Sequence, residues 1–190
     1  MRGQSPLEES PQSLAEVLAY SPDELIDRAA KLPLSAQRFC ASFYPDAHVR
    51  RACLKQIGVV FTDDTSFCNV GFAVTPNRPS DVHVRIGRHV SIAPNVTCIC
   101  DSCANNGTEI NSYQYVAEHL TKRADIVISD EAWIGAGAIL LPGVTVGRCA
   151  VIGAGCVLTR DADDYGIYAG VPGRKIGDIR KEGSVHGAEQ

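Results

Sequence analysis

Residues 128–158 read ISDEAWIGAGAILLPGVTVGRCAVIGAGCVL. Aliphatic side chains stand at Ile128, Ile134, Leu140, Val146, Ile152 and Leu158, each six positions after the last, and glycine follows three of them at Gly135, Gly147 and Gly153. A second row of mostly small residues, Ala132, Ala138, Val144, Ala150 and Cys156, keeps the same step four positions after each aliphatic one. A helix repeats near 3.6 residues and a single strand every 2, so a period of six beside glycine points to short strands joined by tight turns. A short strand cannot bury its apolar face alone. Stacking coil upon coil makes one continuous core from the aliphatic row, with the small row leaving room at the corners. The expected fold is mainly β, a parallel β-helix.

Working outward, the same repeat stands at Ile86–Ser91 and Ile92–Thr97, stops after Cys98 and resumes at Ile128. Those two positions are 30 residues apart, a multiple of six, so the phase survives the interruption. The polar, irregular segment 99–125 therefore reads as an extruded loop, and a loop of this length in a compact repeat is more often functional than decorative. Between Gly58 and Asp81 the pattern is irregular. Val59-Val60-Phe61 and Phe72-Ala73-Val74 are strand candidates there, and Pro76-Asn77-Arg78-Pro79 interrupts them.

Further upstream the signals are helical. Ser21-Pro22-Asp23-Glu24 offers an N-cap hydroxyl, proline at the first helical position and a carboxylate three residues on, the reciprocal capping arrangement. A second helical stretch from Ser35 to Ile57, broken near Pro45, is expected to carry Phe39, Phe43, Val49, Cys53, Leu54 and Ile57 on one side. Such helices cover an open β-helix end, which otherwise exposes apolar core and strand edges. The expected organisation is a tail and helical cap over 1–57, with the tail running to about Gln12, a β-helix domain over 58–176 and a C-terminal tail over 177–190.

Composition sets the outer bounds. Of 190 residues, 45% are hydrophobic and 21% charged, which suits a globular chain with a core. A net charge of −4 gives no electrostatic footprint for nucleic acid. No apolar run approaches the ~18 residues a spanning helix needs, and residues 1–11 are polar rather than signal-like, so the expectation is a cytoplasmic protein. Its eight cysteines are then read as reduced thiols filling small spaces. Cys98, Cys100 and Cys103 form an incomplete zinc set, and no metal is expected.

The run Trp133-Ile134-Gly135-Ala136-Gly137-Ala138, then Leu141-Pro142-Gly143-Val144-Thr145-Val146-Gly147, Ile152-Gly153-Ala154-Gly155 and Ala169-Gly170-Val171-Pro172-Gly173-Arg174 resembles hexapeptide-repeat acyltransferases. It looks most like the maltose and galactoside O-acetyltransferase branch and related polysaccharide O-acetyltransferases. The resemblance covers roughly residues 80–98 and 126–176. It implies a left-handed β-helix, a homotrimer and acetyl-coenzyme A bound between subunits. It also implies transfer of the acetyl group to a hydroxyl of a sugar or glycan-type acceptor.

By motif match the resemblance implies coenzyme contacts at Trp133, Ala136, Ala154, Thr159, Arg160, Arg174 and Lys175. Small side chains at Ala136 and Ala154 let a ligand approach the main chain, and Arg174 can hold a phosphate with its fork of donors. Acetyl transfer to a hydroxyl also needs a base and a donor for the oxyanion. Relatives carry a histidine at the start of the extruded loop, where this sequence has Cys103, with Asp101 just before it. The candidates for the base are therefore His119 in the loop, Asp101 and Cys103. His83 and His89, six residues apart, are expected on successive sides of the coil, and His48 and His186 on the surface. The alternative is a silent scaffold that binds coenzyme or a partner without transfer, since the loop histidine is missing.

Overall fold

The computed structural model describes residues 13–75 and 83–181. Its core is a left-handed parallel β-helix of triangular section. The first face stacks Val59–Phe61, Val84–Ile86, Ile126–Ile128 and Thr145–Val146. The second stacks Phe67–Cys68, Ser91–Ile92, Trp133–Ile134, Val151–Ile152 and Gly166–Ala169, and the third Ala73–Thr75, Thr97–Ile99, Ile139–Leu140 and Val157–Leu158. All pairings between these strands are parallel and in register, for example Ser91↔Trp133↔Val151 on the second face. The aliphatic row and the small row are both buried from end to end.

Glycines next to the aliphatic row do not supply a special φ; they let coils close on each other. A Cβ on Gly135 would lie 2.5 Å from the backbone nitrogen of Ala154 in the next coil. At the corners the left-handed conformation falls on glycine at Gly137, Gly143 and Gly155 but also on His89, Glu131, Cys149 and Tyr165. His89 thus holds a turn, as expected of a residue one side away from His83.

Four helices cover the first coil: α1, Leu14–Leu18; α2, Pro22–Arg28; α3, Leu34–Phe43; and α4, Ala47–Gln56. The capping box at Ser21 and Glu24 is formed, and the break at Pro45 separates α3 from α4. Arg50 in α4 is buried and ties cap to coil by donating to the carbonyl oxygens of Tyr44, Pro45 and Cys68. Phe43, expected inside, is 57% exposed. The inward face of α3 is instead Ala36, Gln37, Cys40 and Ala41, rotated from the Phe39–Phe43 pair, so small side chains meet α4.

The irregular stretch after Gly58 is a complete coil, because Phe67–Cys68 supplies the second-face strand that the sequence reading missed. Ser66 fills the small-row position there, donating to Gly87 O at 2.6 Å and accepting from Val90 N at 2.9 Å. Its polarity, together with cysteine in the aliphatic row, concealed the repeat.

Ile99 belongs to the coil, so the loop proper begins at Cys100. A short antiparallel ribbon of Asp101–Ser102 against Lys122–Arg123 forms its root, and Val116–Leu120 makes a π-helical turn farther out. At the other end, Arg174–Asp178 folds back antiparallel on Gly166–Ala169, beyond the expected domain end at 176. The expected N-terminal tail, the Pro76–Pro79 interruption and His186 lie outside the described residues. Six cysteines are buried and none of the eight is in a disulfide. Among the described residues no helix is long and apolar enough to cross a membrane.

Candidate active site

The loop leaves the prism at the corner between third and first faces, and its root is a knot of hydrogen bonds. Cys100 N donates to Thr75 O at 2.6 Å, Ala124 N to Cys100 O at 2.9 Å, and Ile126 N to His83 O at 3.0 Å. Charged groups gather on this frame. Asp101 lies 3.9 Å from Arg123 Nε. Asp125 accepts from the backbone nitrogen of His83 at 2.7 Å through Oδ1 and from Arg85 Nε at 3.1 Å through Oδ2. The Cys100 thiol is pushed up to about 11, chiefly by burial and further by Asp125 and Asp101, against a lowering contact from the Ile126 backbone. It stays a protonated thiol at neutral pH.

The three expected base candidates are spread along the loop. Asp101 sits at the root, in the ribbon. Cys103 follows it, exposed, with Sγ 3.0 Å from Asn105 Oδ1. His119 is on the outer π-helical turn, exposed, its ring stacked on Tyr115 with centroids 4.5 Å apart and Nδ1 3.3 Å from Tyr115 O. Cys98 and Cys100 are buried while Cys103 faces solvent, and among the described residues no three histidine, cysteine or acidic side chains converge as a metal site.

The expected coenzyme residues divide between two corners. Ala136 and Ala154 stack on the corner between second and third faces, where Gly155 N donates to Ala136 O at 2.8 Å and Gly137 N to Pro94 O at 3.0 Å. The chain returns to that corner at its end, with Val157 N donating to Gly170 O at 3.1 Å and Gly173 N to Val157 O at 2.8 Å. Arg174 thereby stands above Ala154 on the same edge, exposed, with Nη1 donating to its neighbour Gly173 O at 3.2 Å. Two coil spacings separate Ala136 from Arg174, about 10 Å along the axis. A Cβ at Gly137 or Gly155 would meet nothing within 4 Å, so this edge is open to a ligand.

Thr159 and Arg160 lie on the next corner, two coils from the loop root, with the turn after Leu140 between them. Trp133 is 58% exposed on the second face. Lys175 is engaged elsewhere: it donates to Asp163 at 2.8 Å and stands 3.9 Å from Asp178, pinning the antiparallel strand. The expected coenzyme residues other than Trp133 and Lys175 therefore fall on two adjacent edges of the prism, Ala136, Ala154 and Arg174 on one and Thr159 and Arg160 on the other.

Residues 125–160 match the family described as bacterial transferase hexapeptide (six repeats). The match falls on the coils that follow the loop. The galactoside O-acetyltransferase of Lactococcus lactis is 33% identical over 116 residues, 56% of this chain and 50% of that one. The galactoside O-acetyltransferase of Escherichia coli is 37% identical over 100 residues, 52% of this chain and 46% of that one. The chain thus spans about half the length of these curated relatives. In fold it is similar to the hexapeptide-repeat acetyltransferase of Vibrio cholerae complexed with acetyl coenzyme A, with a TM-score of 0.58 and 20% identity over 88% of this chain and 99% of that one.

What the sequence reading passed over is the pair His83 and Asp125. Each stands immediately before a first-face strand, and Val84 pairs with Ile126 in register. The preserved phase across the loop was the signal that places them side by side.

Proposed function

We propose that this protein transfers an acetyl group from acetyl-coenzyme A to a hydroxyl of a sugar or glycan-type acceptor, in grooves formed between copies of a homotrimer. The observation that carries the reading is the alignment of Ala136, Ala154 and Arg174 along one open edge. Exposed main chain at a small-residue corner suits an extended amide-bearing arm, and a guanidinium at its end suits a phosphate. Galactoside O-acetyltransferases among the relatives support the hydroxyl acceptor.

Thr159 and Arg160 lie on the other corner, and a site that uses both corners is completed by a second subunit. Exposed Trp133 on the second face and Tyr113, Tyr115 and Leu120 on the loop are apolar surfaces that such an assembly would cover. Reaction then requires the acceptor oxygen to attack the thioester carbonyl, its proton to pass to a base, and the carbon–sulfur bond to break with the coenzyme leaving as a thiol. Of the expected candidates, Asp101 lies in the ribbon at the loop root, and Cys103 and His119 lie farther along the loop.

The test is coenzyme release measured as new thiol with a panel of glycosides, beside acetyl-coenzyme A binding by calorimetry. Acceptor-dependent turnover is expected. Binding without turnover on any acceptor would instead favour the silent scaffold, a reading that the cysteine at position 103 keeps in contention. A monomeric mass at micromolar concentration would remove the shared groove.

A further inference from the structure

The root of the loop holds a histidine and a carboxylate brought together by the fold alone. His83 Nδ1 lies 3.9 Å from Asp125 Oδ1, and Asp125 also accepts from the His83 backbone nitrogen. Its other oxygen is held by Arg85 Nε at 3.1 Å, which fixes the plane of the carboxylate. His83 Nδ1 is shielded from solvent and has no hydrogen-bond partner among the described residues, although the side chain as a whole is 31% exposed. The exposed part of the side chain therefore lies away from Nδ1.

A shielded ring nitrogen without a partner, facing a fixed carboxylate at just over hydrogen-bond length, is unfavourable in the resting protein. A hydrogen on Nδ1 is one that this carboxylate can accept, which favours the Nδ1–H form of the neutral ring. The remaining charged and titratable groups at the corner are Arg85, Asp101, Arg123 and the Cys100 thiol. Asp101 faces Arg123, so the carboxylate that faces His83 Nδ1 is Asp125, whose other oxygen Arg85 holds.

We propose that His83 is the general base of acetyl transfer and that Asp125 positions it, an assignment that rests on the acetyltransferase reading above. Asp125 holds the proton on Nδ1, leaving the Nε2 lone pair for the acceptor hydroxyl. As the acceptor oxygen bonds to the acetyl carbon, its proton moves to Nε2. The carbon–sulfur bond then breaks, and the leaving thiolate takes the proton back from the imidazolium. The base is thus supplied from the wall of the coil, at the level where the loop departs, and not from the loop itself. His119 stacks its ring on Tyr115 in the outer turn of the loop.

Variants at both residues and the tautomer of His83 test this. His83→Ala is expected to lower turnover by about 10²–10⁴-fold with coenzyme affinity unchanged, and added imidazole should restore part of the loss. Asp125→Asn should lower kcat more than it changes KM. In coenzyme-free protein carrying 15N-histidine, His83 should show the Nδ1–H tautomer, and Asp125→Asn should shift it towards Nε2–H. Wild-type turnover in His83→Ala, loss of turnover that imidazole never rescues, or an Nε2–H tautomer in the wild type would each overturn the assignment. A wild-type protein that binds coenzyme and acetylates no acceptor would overturn the acetyltransferase reading itself, and the base with it.

Discussion

Gly135→Ala adds one methyl group where two coils touch. The new Cβ would lie 2.5 Å from Ala154 N and 2.8 Å from both Gly153 C and Ile152 O, all main-chain atoms that cannot swing away. Real Cβ contacts do not fall below 3.0 Å, so the coils must part by roughly half an ångström. The bonds that hold them there are Gly135 N to Ile152 O at 2.7 Å, Ile139 N to Cys156 O at 2.8 Å and Gly155 N to Ala136 O at 2.8 Å. Weakening one or two of these costs about 1 kcal/mol each, and overpacking adds about 1–3 kcal/mol, so the expected loss is about 2–4 kcal/mol.

Gly137→Ala is the control. Its Cβ meets nothing within 4 Å, so only the left-handed φ of +68° counts against it, about 1–2 kcal/mol. Urea unfolding at one fixed protein concentration gives both values, because subunit association would otherwise enter the midpoint. The same Gly135 variant should weaken acetyl-coenzyme A binding, since Ala136 and Ala154 lie on either side of the disturbed contact. If Gly135→Ala unfolds no more readily than Gly137→Ala, close coil packing is not why glycine follows the aliphatic row.

Arg174→Ala should weaken acetyl-coenzyme A binding by about 1–2 kcal/mol, read by calorimetry; an equal loss with dephospho-coenzyme A would show that the contact is not to the 3′-phosphate. Arg50→Ala leaves three carbonyl oxygens without their donor beneath the cap and should cost about 3 kcal/mol or more in urea, with Arg50→Lys recovering only part because it lacks the planar fork. Asp163 and Asp178 are held below the usual carboxylate range, the first mainly by a hydrogen bond from Lys175 and the second by Arg180. Depressed values mean their support of strand Arg174–Asp178 is complete above the unfolded value of 3.8 and is lost as pH falls below it. Amide exchange in that strand should therefore quicken on acidification before exchange in the coil does, and Asp163→Asn should blunt the effect.

The sequence by itself determined the coil. A period of six is imposed by three strands per turn, and the rows at Ile128–Leu158 and Ala132–Cys156 are the buried positions because nothing else in the chain can fill so narrow a prism. The capping box at Ser21 and the break at Pro45 were equally legible, since caps and proline act within a few residues. The first coil was not, because Ser66 is tolerated inside only through bonds to Gly87 and Val90, which are more than twenty residues away in the chain. Phe43 went outward for a similar reason: which side of α3 faces in is decided by how closely α4 packs, and that is set by Cys40 and Ala41 rather than by the larger rings.

The site divides in the same way. Ala136, Ala154 and Arg174 could be named from local motif alone, but only the return of the chain at Gly170–Gly173 puts the arginine on their edge. Lys175, adjacent in sequence, is drawn the other way by Asp163. His83 and Asp125 are 42 residues apart and carry no local signal, and they meet because the loop leaves the coil and re-enters it in phase. Short-range order is written in neighbouring residues. The pairing of distant charges waits for the closed coil, because only stacking brings successive corners within about 5 Å of each other.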